Sequence, residues 1–259
     1  MTTPKPLVNE CGKVLSLLGE GGHLELRIKP ILKTEHLWKP FSESHCLMTI
    51  SVGQEVHEGE KFLASVQLVN AHFQRCTLCV DDTLQRYTLA LGQNKESESC
   101  LEEALYLGDL WLKRNEKSIQ AFELPLKLIR WEDWRFHSDF EKFKAELKLH
   151  YQEEASFREI FLKTVEGFLA RYLPRLKIFV DPIRAQNLSL EYLFEECSAL
   201  RLWAQTGYDY EVYPNRRNWA MSLVHELYVR AQGSEAASEV FLKFKNRKQF
   251  RPQVLEEIV

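Results

Sequence analysis

A serine at the end of an apolar run is the most suggestive single residue in the sequence. Ser51 follows the apolar stretch 46–50, and Gly53 comes two residues later. A strand that runs into such a loop presents the hydroxyl at its end, and the missing side chain of Gly53 lets a substrate approach the main chain. Ser51 could therefore act as a nucleophile. The alternative is a loop hydroxyl that only satisfies a main-chain amide.

Two tyrosines and a glutamate are the other groups that could do chemistry. Tyr192 and Glu196 are four residues apart, which places them on one face of a helix. A phenol and a carboxylate on one face can bind an ammonium group or exchange a proton with an amine. Tyr213 precedes Pro214, which must end its strand, so the phenol could reach a pocket there. The alternatives are a Glu196 that faces water and a half-buried edge tyrosine.

The pattern of apolar residues predicts the elements that must position these groups. Strands are predicted at residues 23–32, interrupted at Pro30, and at 46–51, 77–82, 124–129, 208–213 and 240–244. Helices are predicted at 60–73, 83–91, 98–122, 138–173, 190–204 with Ser189 as its cap, and 219–231, with a turn at 131–134. This alternation favours an α/β fold whose mainly parallel sheet is flanked by helices. Ligands bind at the carboxyl ends of such strands, here residues 51–53, 81–82 and 213–214.

Length and composition set the broad class of the protein. The chain has 259 residues, of which 45% are hydrophobic and 27% are charged, and its formal net charge is −3. The length fits one large domain or two small ones, and we predict one domain over residues 1–259. The net charge argues against a strongly basic nucleic-acid binder but not against a local basic patch. No apolar stretch is long enough for a membrane helix, and the N-terminus lacks an apolar signal core. A cytoplasmic protein without a membrane partner is therefore predicted.

The common nucleotide and metal motifs are missing from the sequence. It contains no G-x-x-x-x-G-K-[ST] loop, no G-x-G-x-x-G after a strand and no G-x-S-x-G elbow. Cys76 and Cys79 have the spacing of half a zinc site or a redox pair, but no second pair follows. On a strand, their thiols would point to opposite faces. No metal is predicted, and the two cysteines are interpreted as small buried side chains.

Taken together, these residues resemble the tRNA-dependent cyclodipeptide synthases. Residues 45–82 are similar to the first half of that family, where a strand ends in Ser-x-Gly, a helix follows and a second strand ends in Asp. Residues 192–214 are similar to its second half, with Tyr-x-x-x-Glu on a helix and a later Tyr at a strand end. The resemblance covers roughly residues 45–245. Gln54 and Pro214 stand where one branch has Asn and His, so the chain resembles the other branch, which is marked by Tyr-Pro.

The resemblance implies a fold, a reaction and partners. The fold is a single Rossmann-like domain similar to the catalytic domain of class Ic aminoacyl-tRNA synthetases, without their ATP-site motifs and without a cofactor. The reaction is ping-pong acyl transfer from two aminoacyl-tRNAs, in which Ser51 carries the first aminoacyl group and a diketopiperazine is released. Tyr192 and Glu196 would bind the α-ammonium group, and Tyr213 would orient the serine hydroxyl or relay a proton. A monomer is expected, since relatives include monomers.

Position within the family also suggests contacts for the amino-acid side chain and for tRNA. The first side-chain pocket would be lined by Leu47, Thr49, Cys79 and Leu200. Other expected substrate contacts are Gly53, Gln54 and Pro214. Basic groups that could contact tRNA phosphates are Lys113, Arg114, Lys117, Arg216, Arg217 and the tail from Lys243 to Arg251.

Two functions of other classes stay open at this point. A non-catalytic, synthetase-like module would bind tRNA or a protein partner and would not need a reactive serine. A serine hydrolase of another family would need a histidine partner for Ser51, and the sequence indicates none.

Overall fold

A six-stranded sheet lies at the centre of the computed structural model, which describes residues 28–34 and 38–246. In chain order its strands are β1 (Ile28–Thr34), β2 (His45–Ser51), β3 (Arg75–Asp81), β4 (Leu126–Arg130), β5 (Tyr210–Tyr213) and β6 (Ser238–Asn246). Across the sheet the order is β1-β6-β5-β2-β3-β4, and all neighbouring pairs are parallel except β1 with β6. The predicted mainly parallel sheet is therefore confirmed, and β2 lies between β5 and β3.

Helices cover both faces of the sheet. In chain order they are α1 (Gly59–His72), α2 (Arg86–Gln93), α3 (Leu101–Arg114), α4 (Glu116–Ile119), α5 (Trp131–Arg135), α6 (Phe140–Glu153), α7 (Ala155–Tyr172), α8 (Pro182–Thr206) and α9 (Trp219–Tyr228). Side chains of α1 and α3, such as Phe62 and Trp111, pack on one face, and α5 to α9 supply the core on the other. Within the described ranges, no helix combines the length and the apolar composition that crossing a membrane requires.

The central strands β2 and β3 divide their residues between two cores. Both strands are buried on both faces, as parallel strands covered by two helical layers must be. Met48 and Ile50 belong to the core under α1 and α3, which we call the α1 face of the sheet. Leu47 belongs to the larger core under α8, which we call the α8 face. Cys76 lies on the α1 face and Cys79 on the α8 face, so the two thiols point apart, as predicted.

Two of the predicted helices are divided in the structure. The predicted helix 138–173 consists of α6 and α7, which meet at Glu154, a residue with extended backbone (φ −105°, ψ 113°). The predicted helix 98–122 is interrupted at Asn115, whose Nδ2 donates to Glu58 Oε2 at 2.9 Å and to the Trp111 carbonyl oxygen at 3.1 Å. Glu58 is 57 residues away in sequence. A tertiary contact of this kind leaves no trace in local periodicity.

Helix α8 begins earlier than predicted. Ser189 does not cap it but lies inside it, with Oγ donating to the Ala185 carbonyl oxygen at 2.9 Å. The helix begins at Pro182, and Asp181 Oδ1 accepts a hydrogen bond from Arg184 N at 2.8 Å. Asp as the cap with Pro as the first helical residue is a favourable start, because the side chain satisfies an orphan amide and proline has none.

Two further local predictions are wrong. Residues 131–134 form helix α5 and not a turn, because Asp133 Oδ2 accepts from Arg130 N at 2.8 Å and so stabilises the first turn. Pro30 does not interrupt β1, because β1 is an edge strand and proline is tolerated there. Residues 23–27 of that predicted strand lie outside the described residues.

Candidate active site

Ser51 is the last residue of β2, at the carboxyl end of the sheet's middle. The chain leaves the strand through a turn in which Gln54 N donates to the Ser51 carbonyl oxygen at 3.2 Å. Gly53 has φ +86° at the third position of this turn, a left-handed conformation that a side chain would strain. Gly53 therefore permits the turn that ends the strand, while Gln54 contacts the serine through its main chain.

The hydroxyl of Ser51 is buried and hydrogen-bonded to a phenol. Ser51 is 9% exposed, and its Oγ lies 3.0 Å from the phenol oxygen of Tyr213. Tyr213 ends β5, the parallel neighbour of β2, which explains why two residues 162 positions apart meet. Burial raises the pKa of Tyr213, and the nearby Glu196 carboxylate raises it further. The phenol is thus protonated at neutral pH and can donate to, or accept from, the serine.

A histidine that the sequence did not indicate supports the main chain of Ser51. The Ser51 amide donates to His57 Nδ1 at 2.9 Å. Burial lowers the pKa of His57 to about 4, so the imidazole is neutral at physiological pH. Its ring packs edge-on against Tyr213, with centroids 5.3 Å apart. The imidazole thus positions the end of β2. A serine hydrolase would need a histidine that hydrogen-bonds the serine hydroxyl, and His57 bonds the main chain instead.

Tyr192 and Glu196 project from α8 toward the same point. Asn218 Nδ2 donates to Glu196 Oε2 at 2.8 Å and fixes the carboxyl. Burial is the main cause that raises the pKa of Glu196 from 4.5 to about 7, and the carboxylate of Glu211 adds to it. Burial also raises the pKa of Tyr192, with further contributions from Glu196 and Tyr213. Tyr192 interacts electrostatically with Glu196 and with Tyr213, and Tyr213 contacts Ser51. The structure therefore brings together the four residues predicted as catalytic.

Further charged groups surround this cluster. Arg217 Nε donates to Glu211 Oε2 at 2.5 Å, and both side chains are at most 5% exposed. Asp81 ends β3 beside Ser51, and burial raises the pKa of its carboxyl well above the ordinary value. The cluster thus contains more carboxyls than cations, which favours a cationic ligand group. The burial of Arg217 also removes it from the basic residues that could contact tRNA phosphates.

The residues predicted to line the first side-chain pocket lie below this cluster. Leu47, Cys79 and Leu200 belong to the same core on the α8 face and are completely buried, and Thr49 is 2% exposed. Alternation along β2 and β3 places Thr49 and Cys79 directly opposite each other in register. Of the other expected contacts, Gln54 is exposed and Pro214 is buried.

A charged cleft adjoins the cluster and was not found from the sequence. It has a volume of about 630 Å³ and lies between α2, α6 and the first half of α8. At its base the buried Arg86 donates to Glu195 Oε1 at 2.6 Å, and Lys144 Nζ lies 3.1 Å from the same oxygen. The ring of Tyr87 contacts that of Tyr192 edge-on at 6.5 Å. In the sequence, the one signal for this cleft is that its residue Glu195 directly precedes Glu196.

Comparison with known proteins identifies the family. No family model matches the chain, and no curated protein sequence matches it. The solved structure of a CDPS, a cyclodipeptide synthase, from Fluoribacter dumoffii is 36% identical to it with a TM-score of 0.80, over 85% of this chain and 100% of that one. The chain belongs to the cyclodipeptide synthase family.

More distant cyclodipeptide synthases share the fold. One from Candidatus Glomeribacter gigasporarum, bound to Phe-tRNAPhe, is 18% identical with a TM-score of 0.65, over 86% of this chain and 96% of that one. A Mycobacterium tuberculosis protein, whose structure relates cyclodipeptide synthetases to type I tRNA synthetases, is 12% identical with a TM-score of 0.60, over 84% and 94%. The predicted Rossmann-like fold is confirmed.

The basic groups named from the sequence have different surroundings in the structure. Lys113 and Arg114 lie in the last turn of α3, and Lys117 lies in α4. Arg114 pairs with Glu58 at 2.7 Å, while the guanidinium of Arg216 lies over the ring of Phe241 at 4.7 Å. The tail beyond residue 246 lies outside the described residues. Of the basic groups named from the sequence, Lys113, Arg114 and Lys117 therefore lie together, at the end of α3 and the start of α4.

Proposed function

We propose that this chain joins two amino acids, each delivered as an aminoacyl-tRNA, into a cyclic dipeptide by ping-pong acyl transfer through Ser51. The observation that carries the proposal is the buried Ser51 hydroxyl, 3.0 Å from the Tyr213 phenol, beside a glutamate with a pKa of about 7. Family membership and the structural similarity to a relative bound to Phe-tRNAPhe support it. Residues 1–259 would form a single catalytic domain.

The first step would transfer an aminoacyl group to the serine. Ser51 Oγ attacks the ester carbonyl, a new C–O bond forms, and the bond to the tRNA 3′ oxygen breaks. The hydroxyl proton must reach that departing oxygen. The phenol of Tyr213 can relay it without ionising, because it donates one proton as it accepts another. The ester is already activated, so no ATP is required.

The second step would form the peptide bond. The α-ammonium group on the acyl-enzyme lies against Tyr192 and Glu196, and the carboxylate takes one N–H proton. A pKa of about 7 suits Glu196 to this transfer at neutral pH. The free amine then attacks the ester of the second aminoacyl-tRNA and releases its tRNA. The amine of the resulting dipeptidyl group attacks the Ser51 ester, and the diketopiperazine leaves with the serine hydroxyl restored.

Two residues support placement in the Tyr-Pro branch. Pro214 directly follows Tyr213 and is buried at the end of β5. Gln54 follows the serine by three residues and hydrogen-bonds its carbonyl oxygen through the main chain, not through the side chain. The turn after Ser51 is therefore formed by the main chain of residue 54 and does not require an Asn side chain there. This supports the branch of the family in which Asn is absent at that position.

The test is expression of the chain in a bacterium and mass spectrometry of diketopiperazines in the medium. We expect a cyclic dipeptide from the wild type, none from Ser51→Ala, and an unchanged yield from Ser99→Ala, which alters an exposed serine on the surface. A non-catalytic tRNA-binding module would give no product from any of the three folded proteins. A product that survives Ser51→Ala would contradict the nucleophile.

A further inference from the structure

Asp81 lies directly beside the reactive serine but has no part in the steps above. It ends β3 and is paired in register with Ser51 at the end of β2. Paired residues of parallel strands point to the same side of a sheet, so the carboxyl lies on the α8 face with the Ser51 hydroxyl. Its electrostatic interactions with Glu196, Tyr192 and Tyr213 place it in the same cluster.

One oxygen of this carboxyl is buried without a partner. Asp81 is 6% exposed, and among the described residues its buried Oδ1 has no hydrogen-bond partner. A buried carboxylate oxygen without a donor costs free energy, because it has lost its hydration. Natural proteins rarely keep such an atom unless a ligand or water satisfies it. An N–H donor from a ligand would remove this cost.

The neighbouring acids differ from Asp81 in having cations of their own. Asp82 is paired with Arg130, and Glu211 is paired with Arg217. Neither Asp81 nor Glu196 forms an ion pair within residues 28–34 and 38–246. These two carboxyls, which belong to no ion pair, interact electrostatically with each other in the cluster around Ser51, and Arg217, which is paired with Glu211, compensates Glu196 only in part. A single positive charge placed between them would compensate both.

We propose that Asp81 Oδ1 accepts a hydrogen bond from the α-ammonium group of the aminoacyl substrate, opposite Tyr192 and Glu196. An ammonium group has three N–H donors, and the proposed function assigns acceptors to only two of them. Asp81 supplies the third. The inference rests on the proposed function, since the ammonium is that of the aminoacyl group transferred to Ser51. Asp81 is thereby a substrate-binding residue that recognises a primary amine.

The test compares substrates that differ only in this amine. Purified protein is mixed with a pool of tRNA charged with all twenty amino acids, or with the same pool after nitrous acid has converted each α-amino group to a hydroxyl. The initial rate of Ser51 acylation is read from the intact protein mass. The proteins are the wild type, Asp81→Asn, Asp81→Ala and the control Asp109→Asn, which removes an exposed carboxylate on α3.

We expect Asp81→Asn and Asp81→Ala to lower the aminoacyl rate by about tenfold to a hundredfold, the range for one hydrogen bond to a charged group. Their rates with hydroxyacyl-tRNA should match the wild type, and Asp109→Asn should match it with both pools. An equal loss with both pools would overturn the proposal, because it would indicate a structural role. Unfolding of both Asp81 variants would overturn it for the same reason. A wild type that forms no adduct would instead contradict the proposed function.

Discussion

The strands β2, β3 and β5 carry very different residues on their two faces. On the α1 face, the residues nearest their carboxyl ends are apolar and buried: Ile50, Val80 and Val212. On the α8 face, one position later, they are the residues of the candidate site: Ser51, Asp81 and Tyr213. A shift of one residue along each strand therefore separates a dry core from a charged cluster.

The two faces of the sheet thus have different roles, one in stability and one in chemistry. The α1 face consists of apolar side chains, whose removal from water stabilises the folded protein. On the α8 face, burial raises the pKa of the acidic groups and phenols of the candidate site, so their ionised forms are disfavoured in the folded protein. These residues are Asp81, Tyr192, Glu196 and Tyr213. We therefore expect substitutions of the α8-face residues at these strand ends to alter activity with little loss of stability, and substitutions of their α1-face neighbours to do the reverse.

The largest expected effect is that of Ser51→Ala on product formation. The substitution removes the nucleophile, so the yield of cyclic dipeptide should fall by about a thousandfold or more. The free energy of unfolding, measured in urea, should change by less than about 1 kcal/mol, since one hydrogen bond to Tyr213 is lost. An active Ser51→Ala variant would contradict the role of Ser51 in chemistry. An unfolded variant would contradict the expectation that this α8-face residue contributes little to stability.

The next largest effect is that of Glu196→Gln, through pH. The carboxylate form of Glu196 is the one that binds an ammonium, and its pKa is about 7. Ser51 acylation by wild type should therefore be about tenfold slower at pH 6 than at pH 8. Glu196→Gln should be slower at both pH values, by about a hundredfold at pH 8, and should lose the part of the pH dependence that Glu196 causes.

Stability should respond to pH in the opposite direction. The raised pKa means that folded Glu196 keeps a proton that the unfolded chain releases. The resulting stabilisation is fully present below pH 4.5 and is lost as pH rises through about 7. Unfolding in urea across this range should show that Glu196→Gln lacks this loss. Equal pH slopes for the two proteins would contradict the assignment.

A smaller effect is expected for Tyr213→Phe. The phenylalanine keeps the ring contact with His57, whose centroid is 5.3 Å away, but cannot hydrogen-bond Ser51 Oγ. Acylation should slow by about tenfold to a hundredfold, because the variant loses both the hydrogen bond that positions Ser51 Oγ and the proton relay. Tyr208→Phe provides the matched control, because Tyr208 is a buried tyrosine of the core on the α8 face that lies before β5, away from Ser51. Equal rates in the two variants would remove Tyr213 from the mechanism.

The smallest effect on activity is expected for Ile50→Val on the α1 face. Ile50 is completely buried beneath α1, and loss of one methylene group should cost about 1 kcal/mol of unfolding free energy. The rate of product formation per folded molecule should not change, although Ile50 is adjacent to Ser51. A large fall in that rate would show that the two faces are not independent.

Local pattern was enough to predict most strands and the fold class, because β2 and β3 are short apolar runs and β5 alternates between polar and apolar residues. It failed where a distant residue determines the outcome. Asn115 ends α3 through Glu58, and Glu154 separates α6 from α7 without a glycine or proline. The start of α8 was also missed, although Asp181 before Pro182 is a signal that the sequence contains.

The candidate site was predicted in its main residues and missed in its supporting ones. Ser51 and Tyr213 are recognisable because strand ends are visible in the sequence. His57 was not recognisable, because its ring reaches the Ser51 amide only through the turn at Gly53. The buried pair of Arg217 with Glu211 was missed for a related reason, because an arginine beside Arg216 looks like a surface charge until its partner is known.

The most direct test of the central claim is to locate the acyl group on the enzyme. Wild-type protein is mixed with aminoacyl-tRNA, quenched in acid within the first turnover and digested, and the peptides are sequenced by mass spectrometry. We expect a mass increase of one aminoacyl group on the peptide that contains Ser51, at that residue, and no adduct in Ser51→Ala. An adduct on a different residue, or a cyclic dipeptide formed without any adduct on Ser51, would contradict this claim.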